Sequence, residues 1–215
     1  PEILKGCHYK GGFDCVAIYL RNNPESRFFS KKGLILGGSH SPSPLNSEAH
    51  QGDLSAVLLQ NLNPLVNLIR VPKKPIILMD EWESKIKAIV ENTWNKDVNS
   101  LSGVPSWMLV LIKAVLKKTG REYLTDVWPN LEVFFHGGIS FEPYREQYKT
   151  LIPSNKMHYM ETYNASEGFF GLQDDPTDSS LLMMPDYGIF YEFIPMNEVG
   201  NAHPTVLPLE SVETG

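Results

Sequence analysis

The chain has 215 residues, 42% apolar and 20% charged, which is the length of about one large domain and a composition that excludes disordered, collagen-like and coiled-coil classes. Its formal charge of −6 comes from 19 basic and 25 acidic side chains, and no cationic run is longer than a pair such as Lys31-Lys32, so a general nucleic-acid surface is excluded. The longest apolar run, Trp107 to Ile112, falls far short of the roughly 20 residues that span a bilayer. The only cysteines, Cys7 and Cys15, form no CxxC pair, so neither a disulfide framework nor a zinc site is expected, and the expected setting is reducing and cytoplasmic.

Pro1-Glu2-Ile3-Leu4-Lys5 carries neither an apolar leader nor a start methionine, and Ser211 to Gly215 closes no helix or strand, so the chain reads as a piece of a longer protein. Gly11-Gly12 reads as a turn and not a phosphate cradle, since no Lys-Ser/Thr follows it. Gly33-Leu34-Ile35-Leu36-Gly37-Gly38 is a short apolar run bounded by glycines, which suits a buried strand. Ser39 to Asn46 reads as a loop, Leu54 to Leu62 as a helical segment, and Asn63-Pro64 and Val71-Pro72 as breaks. Ile86, Ile89, Val90 and Trp94 lay one apolar stripe along a helix that Ser84 would cap and that ends near Asn95. A second helix, capped by Ser106, runs from Trp107 to Gly120; it is apolar nearly all round and should be buried.

Leu131 to His136 reads as a strand ended by Gly137-Gly138. Phe141 to Leu151 reads as a helix, and Met157 to Glu161 as a second strand, so residues 131–162 form a βαβ unit with parallel strands. From Gly168 onward short strands follow at Phe169–Leu172, Leu181–Met184 and Ile189–Ile194, separated by Asp/Pro/Gly turns, and antiparallel hairpins are the simplest account of 169–200. The fold class expected is therefore α/β, a parallel βαβ core with helices and a short-stranded antiparallel or mixed region near the C-terminus.

Ligands of open α/β sheets bind outside the carboxyl ends of parallel strands. At the first such end, Gly137-Gly138 let a ligand lie against the backbone, and the N-terminus of the following helix offers N–H groups to an anion. The second delivers Glu161-Thr162-Tyr163-Asn164-Ala165-Ser166-Glu167-Gly168, a dense polar cluster. Its groups suit a nucleotide: Tyr163 to stack on a base, Ser166 to donate to a phosphate oxygen, Glu167 to hold Mg²⁺ as a hard oxygen ligand. A polar turn into a hairpin explains the same residues without a ligand. Asp174-Asp175, followed by Pro176, reads as a turn.

Tyr163-Asn164-Ala165-Ser166-Glu167-Gly168, with Leu131 to Tyr144 before it, resembles the auxin-responsive Gretchen Hagen family of acyl-acid amido synthetases, in its bacterial branch, within the adenylate-forming superfamily. Gly103-Val104-Pro105-Ser106-Trp107 and Asp186 to Phe193 extend the resemblance over most of the chain. It implies that a carboxylate attacks the α-phosphate of ATP, giving an acyl-adenylate and pyrophosphate, and that an amino-acid amine then displaces AMP. It also implies roles: Gly137 and Gly138 border adenine and the acyl group, Tyr163 covers the adenine, Ser166 meets the α-phosphate, Glu167 binds Mg²⁺, and Thr162 and Asn164 add backbone or amide contacts. Three further substrate-binding candidates are His136, which could polarise a carbonyl although a hydrogen-bonded structural role is the commoner one at a strand end, and Trp107 and Met108, which could line the acyl pocket although core packing is the stronger explanation for both. The superfamily's phosphate loop with its lysine, its ribose-binding Gly-Asp element and its C-terminal domain are missing. The chain is therefore expected to be an internal fragment of the large N-terminal domain, inactive alone. An acyl-CoA ligase and a non-catalytic binding module are the other readings.

Overall fold

Adjacent residues of the central strands point into two different cores, and this alternation defines the architecture. A computed structural model describes residues 2–42 and 50–213; of the loop expected at Ser39–Asn46, positions 43–46 lie outside the described residues. A π-helical segment at Leu4–Tyr9 leads into α1 (Lys10–Asn22), followed by β1 (Lys32–Leu36), β2 (His40–Pro42), β3 (His50–Gly52), α2 (Leu54–Gln60), β4 (Arg70–Val71), α3 (Lys74–Ile77) and α4 (Trp82–Thr93). Then come β5 (Val98–Gly103), α5 (Pro105–Thr119), α6 (Leu124–Val127), β6 (Val133–Gly137), α7 (Arg145–Leu151), β7 (His158–Ala165) and β8 (Gly168–Leu172). The described chain ends with β9 (Leu182–Met183), β10 (Glu192–Phe193) and β11 (Leu207–Pro208).

One seven-stranded sheet has the order β4-β1-β5-β6-β7-β8-β9. Its first five strands are parallel, and β8 and β9 are antiparallel to their neighbours. Leu34, Leu36, Leu101 and Phe134 face a core shared with Ile86 and Ile89 of α4, Leu111 and Ile112 of α5, and Tyr148 of α7. Val133, Met160, Phe169 and Leu172 face the other core, built with Cys15 and Tyr19 of α1. Helices thus cover both faces, which is why Val133-Phe134-Phe135 at the start of β6 is continuously apolar, without a polar alternate.

The α/β class and the βαβ unit stand as expected, with several corrections. Glu81 caps α4: its carboxylate accepts from the Glu83 and Ser84 N–H groups at 2.9 and 2.7 Å, so the helix starts before Ser84. Ser106 caps nothing, because α5 opens with Pro105 at its first turn; Gly120 closes it in the left-handed conformation (φ 66°). Gly11-Gly12 is not a turn but lies within α1, where a Cβ on Gly11 would collide with the Phe169 ring; glycine lets the helix approach β8. β5, the strand at the centre of the parallel block, matches no expected element. Of the expected strand Ile189–Ile194 only Glu192–Phe193 is paired, with Leu207–Pro208.

Candidate functional site

β6 exits through Gly137-Gly138, and both glycines have a steric reason. Gly137 pairs in register with Thr162; a Cβ there would collide with the Thr162 carbonyl oxygen and lie 2.9 Å from its Oγ1. Gly138 turns the chain at φ 83°, in the left-handed region. Thr162 Oγ1 donates to the His136 carbonyl at 3.2 Å, tying the β6 and β7 ends together. The anion site expected at the next helix is displaced: a 3₁₀ turn at Glu142–Tyr144 intervenes and α7 starts only at Arg145, seven residues beyond Gly138.

β7 does not stop at Glu161 as expected. It continues through Thr162, Tyr163, Asn164 and Ala165, and returns as β8 after the two-residue turn Ser166-Glu167, with a bulge between Tyr163 and Asn164. Tyr163 is 56% exposed, with its ring centroid 5.0 Å from that of Phe170. Ser166 and Glu167 are exposed. The turn is braced from beneath: the Phe169 N–H donates to Cys7 Sγ at 2.9 Å, and the buried His8 lies against the Ser166 backbone. Glycine turn, tyrosine face, hydroxyl and carboxylate therefore share the carboxyl edge of adjacent strands. This donor set fits a nucleotide and its cation. Mg²⁺ takes one or two carboxylates and completes its shell with water and phosphate oxygens, so Glu167 is the side chain of this edge that could hold one; among the described residues no cluster of three or more His, Cys, Asp or Glu side chains forms a metal cage.

The other candidates lie elsewhere. Met108 is fully buried among the α4 and α5 core residues, and Trp107 packs on Trp82 with centroids 5.6 Å apart. His136 is stacked 4.2 Å from Phe141 and is 3% exposed. Burial, reinforced by the Arg145 charge, pushes its pKa down to about 3, so it is neutral at physiological pH.

Lys85 and Arg145 near the edge are not marked by the sequence. Lys85 is buried and its Nζ donates to the Gly37 and Gly38 carbonyls at 2.7 and 3.0 Å, holding the chain leaving β1. Desolvation lowers its pKa and Asp53 opposes the shift. Arg145 and Glu161 share with His136 a cavity of about 180 Å³ beside β7. Lys85 lies next to the apolar stripe of α4, and nothing in local spacing marks a lysine there as buried.

Among the described residues no helix is long and apolar enough to cross a membrane. No curated protein matches the chain. A solved structure described as a GH3.15 acyl acid amido synthetase matches with a TM-score of 0.67 at 15% sequence identity, over 100% of this chain and 46% of its own length. The chain thus spans about half of that solved relative, and the likeness shows the shared fold. A family model described as the GH3 family N-terminal domain matches residues 5–157, well over half of the chain, and the chain belongs to the GH3 family.

Proposed function

We propose that this chain is the acyl-adenylate-forming part of an ATP-dependent acyl-acid amido synthetase. The observation that carries the reading is the meeting, at one edge of the sheet, of the Gly137-Gly138 turn with the exposed Tyr163, Ser166 and Glu167 on the adjoining strand and turn. Family membership and a fold shared with an acyl acid amido synthetase support it.

In this reading Gly137 and Gly138 leave room for the adenine and the acyl group against bare backbone. Tyr163 offers the adenine a flat apolar face, and Thr162 and Asn164 add polar contacts beside it. Ser166 donates to the α-phosphate, where negative charge grows as a substrate carboxylate attacks and pyrophosphate leaves. Glu167 would hold Mg²⁺, which when bound offsets charge on the phosphates. An amino-acid amine then attacks the acyl carbon and releases AMP. The protein's main contributions are orientation of carboxylate and phosphate in line and fixed dipoles at the phosphorus. The rigid register between Gly137 and Thr162 supplies the first of these.

The test is exchange of labelled pyrophosphate into ATP by the whole synthetase carrying this segment, over a panel of carboxylic acids. One or more acids should support exchange, and Glu167→Ala should lower it about a hundredfold, the usual scale for one electrostatic group at a reacting centre. Unchanged exchange in that variant contradicts the role of Glu167. Exchange with none of the acids would favour a non-catalytic binding module.

A further inference from the structure

The segment after β9 is composed like a strand buried on both faces, yet only one of its faces is covered. Ile189-Phe190-Tyr191-Glu192-Phe193-Ile194-Pro195-Met196 is apolar at every position but Glu192. Its side chains alternate: Ile189, Tyr191, Phe193 and Pro195 are partly buried, whereas Phe190, Glu192, Ile194 and Met196 are exposed. The inner set packs on the sheet. Ile189 joins the core that contains Met160 and Phe169, the Tyr191 ring lies 6.3 Å from Phe170 and 6.4 Å from Phe193, and Tyr191 Oη donates to the Met184 carbonyl at 3.4 Å. The outer set faces water, with Phe190 82% and Met196 87% exposed. A solvated sheet face carries polar side chains at alternate positions, and apolar alternates on both sides mark a strand covered twice.

Register widens the open face. β10 and β11 pair Glu192 with Pro208 and Phe193 with Leu207, so the next step of the same ladder sets the exposed Val206 beside Ile194. The Thr205 N–H donates to the Glu198 carboxylate at 2.6 Å, which holds the connection between the two strands. A two-stranded ribbon is marginal in water without a further layer, and this one presents Phe190, Ile194, Met196 and Val206 to solvent.

Charge restricts what can cover it. Residues 157–215 hold ten of the 25 acidic side chains and none of the 19 basic ones, and Glu192 stands amid the exposed apolar set. Anionic lipid and nucleic acid would be repelled, and a wholly apolar cover would bury the Glu192 charge unpaired. The solved relative points to the source: this chain matches it over 100% of its own length and 46% of the relative's, so that enzyme holds about as much chain again.

We propose that the outer face of the β10–β11 ribbon seats the remainder of the synthetase, through an apolar surface that places a Lys or Arg side chain against Glu192. The proposal rests on reading the chain as part of such an enzyme, but not on adenylation.

Peroxide oxidation of Met196 in the whole synthetase, followed by mass spectrometry, tests the cover. Thioether oxidation follows exposure, so Met196 should oxidise at least about tenfold more slowly in the folded protein than in the same protein unfolded in urea. Any smaller slowing leaves the face in solvent and overturns the proposal; protection that is lost on dilution identifies a second copy as the cover and also overturns it. Glu192→Lys tests the charge. Against a basic cover it should lower the unfolding midpoint by about 2 °C or more, and Glu192→Gln should lower it less. In an uncovered acidic segment the reversal would relieve repulsion, so an unchanged or raised midpoint overturns the basic cover. Neither readout uses activity: shielding without pyrophosphate exchange counts against the adenylating reading alone, and exchange without shielding against the cover alone.

Discussion

Two neighbouring strands leave the same edge of the sheet in opposite ways. β6 ends in a constrained turn: Gly137 is pressed against the Thr162 carbonyl and Gly138 holds a positive φ. β7 carries Thr162 to Ala165 on as a strand, turns at Ser166-Glu167 and comes back, with Tyr163, Ser166 and Glu167 in solvent. The first exit has lost side chains so that backbone can come close; the second displays side chains on a hairpin that β8 already supports. Stability and chemistry should therefore separate here, the glycines holding the backbone that borders the nucleotide and the hairpin residues supplying the groups that act on it.

The largest effect that sharpens this contrast is on stability. Gly137→Val should cost about 3 kcal/mol, since an overpacked site with a backbone oxygen as its neighbour cannot relax by side-chain rotation, and a denaturant titration measures it. Tyr163→Ala should raise the KM for ATP about tenfold, the scale of one base stacked on one aromatic ring, with the unfolding midpoint little changed. His136 gives a pH-dependent effect that is small near neutrality and grows on acidification. Its folded pKa of about 3 lies below the ordinary 6.5, so the unfolded chain binds the extra proton between those values, and stability falls as pH drops through that window. The slope from this residue is at most about 1.4 kcal/mol per pH unit. His136→Phe should flatten the stability–pH curve by that difference between pH 6.5 and 3; an unchanged curve contradicts the neutral buried imidazole. The smallest effect is expected at the hairpin tip, where Ser166→Ala should alter stability by no more than about 0.5 kcal/mol.

The same contrast governs what was legible in the chain. The β6–α7–β7 unit reads directly because Leu131 to Phe135 combines high strand propensity with burial on both faces and glycine and proline punctuate its ends. β5 was hidden because Val98-Asn99-Ser100-Leu101-Ser102-Gly103 looks like a polar loop. Asn99 and Ser100 are buried, and the Asn99 amide donates to the carbonyls of Arg27 and Phe28 and to Glu132 Oε1 at 2.9, 3.2 and 2.9 Å. Those partners are remote in sequence, so periodicity cannot show them. The continuation of β7 was missed for a related reason: Thr162 to Ala165 is a strand by virtue of β8 returning beside it. At the candidate site, the residue types and their order were visible, while Lys85, Arg145 and Glu161 acquire meaning only from what folds against them.

In the proposed function, nucleotide binds across the β6 and β7 exits. Hydrogen–deuterium exchange of the whole synthetase with and without AMP tests it most directly. New protection should concentrate in peptides spanning residues 135–140 and 160–168, with little change over 173–213. Protection elsewhere, with both exits unchanged at saturating AMP, would contradict it.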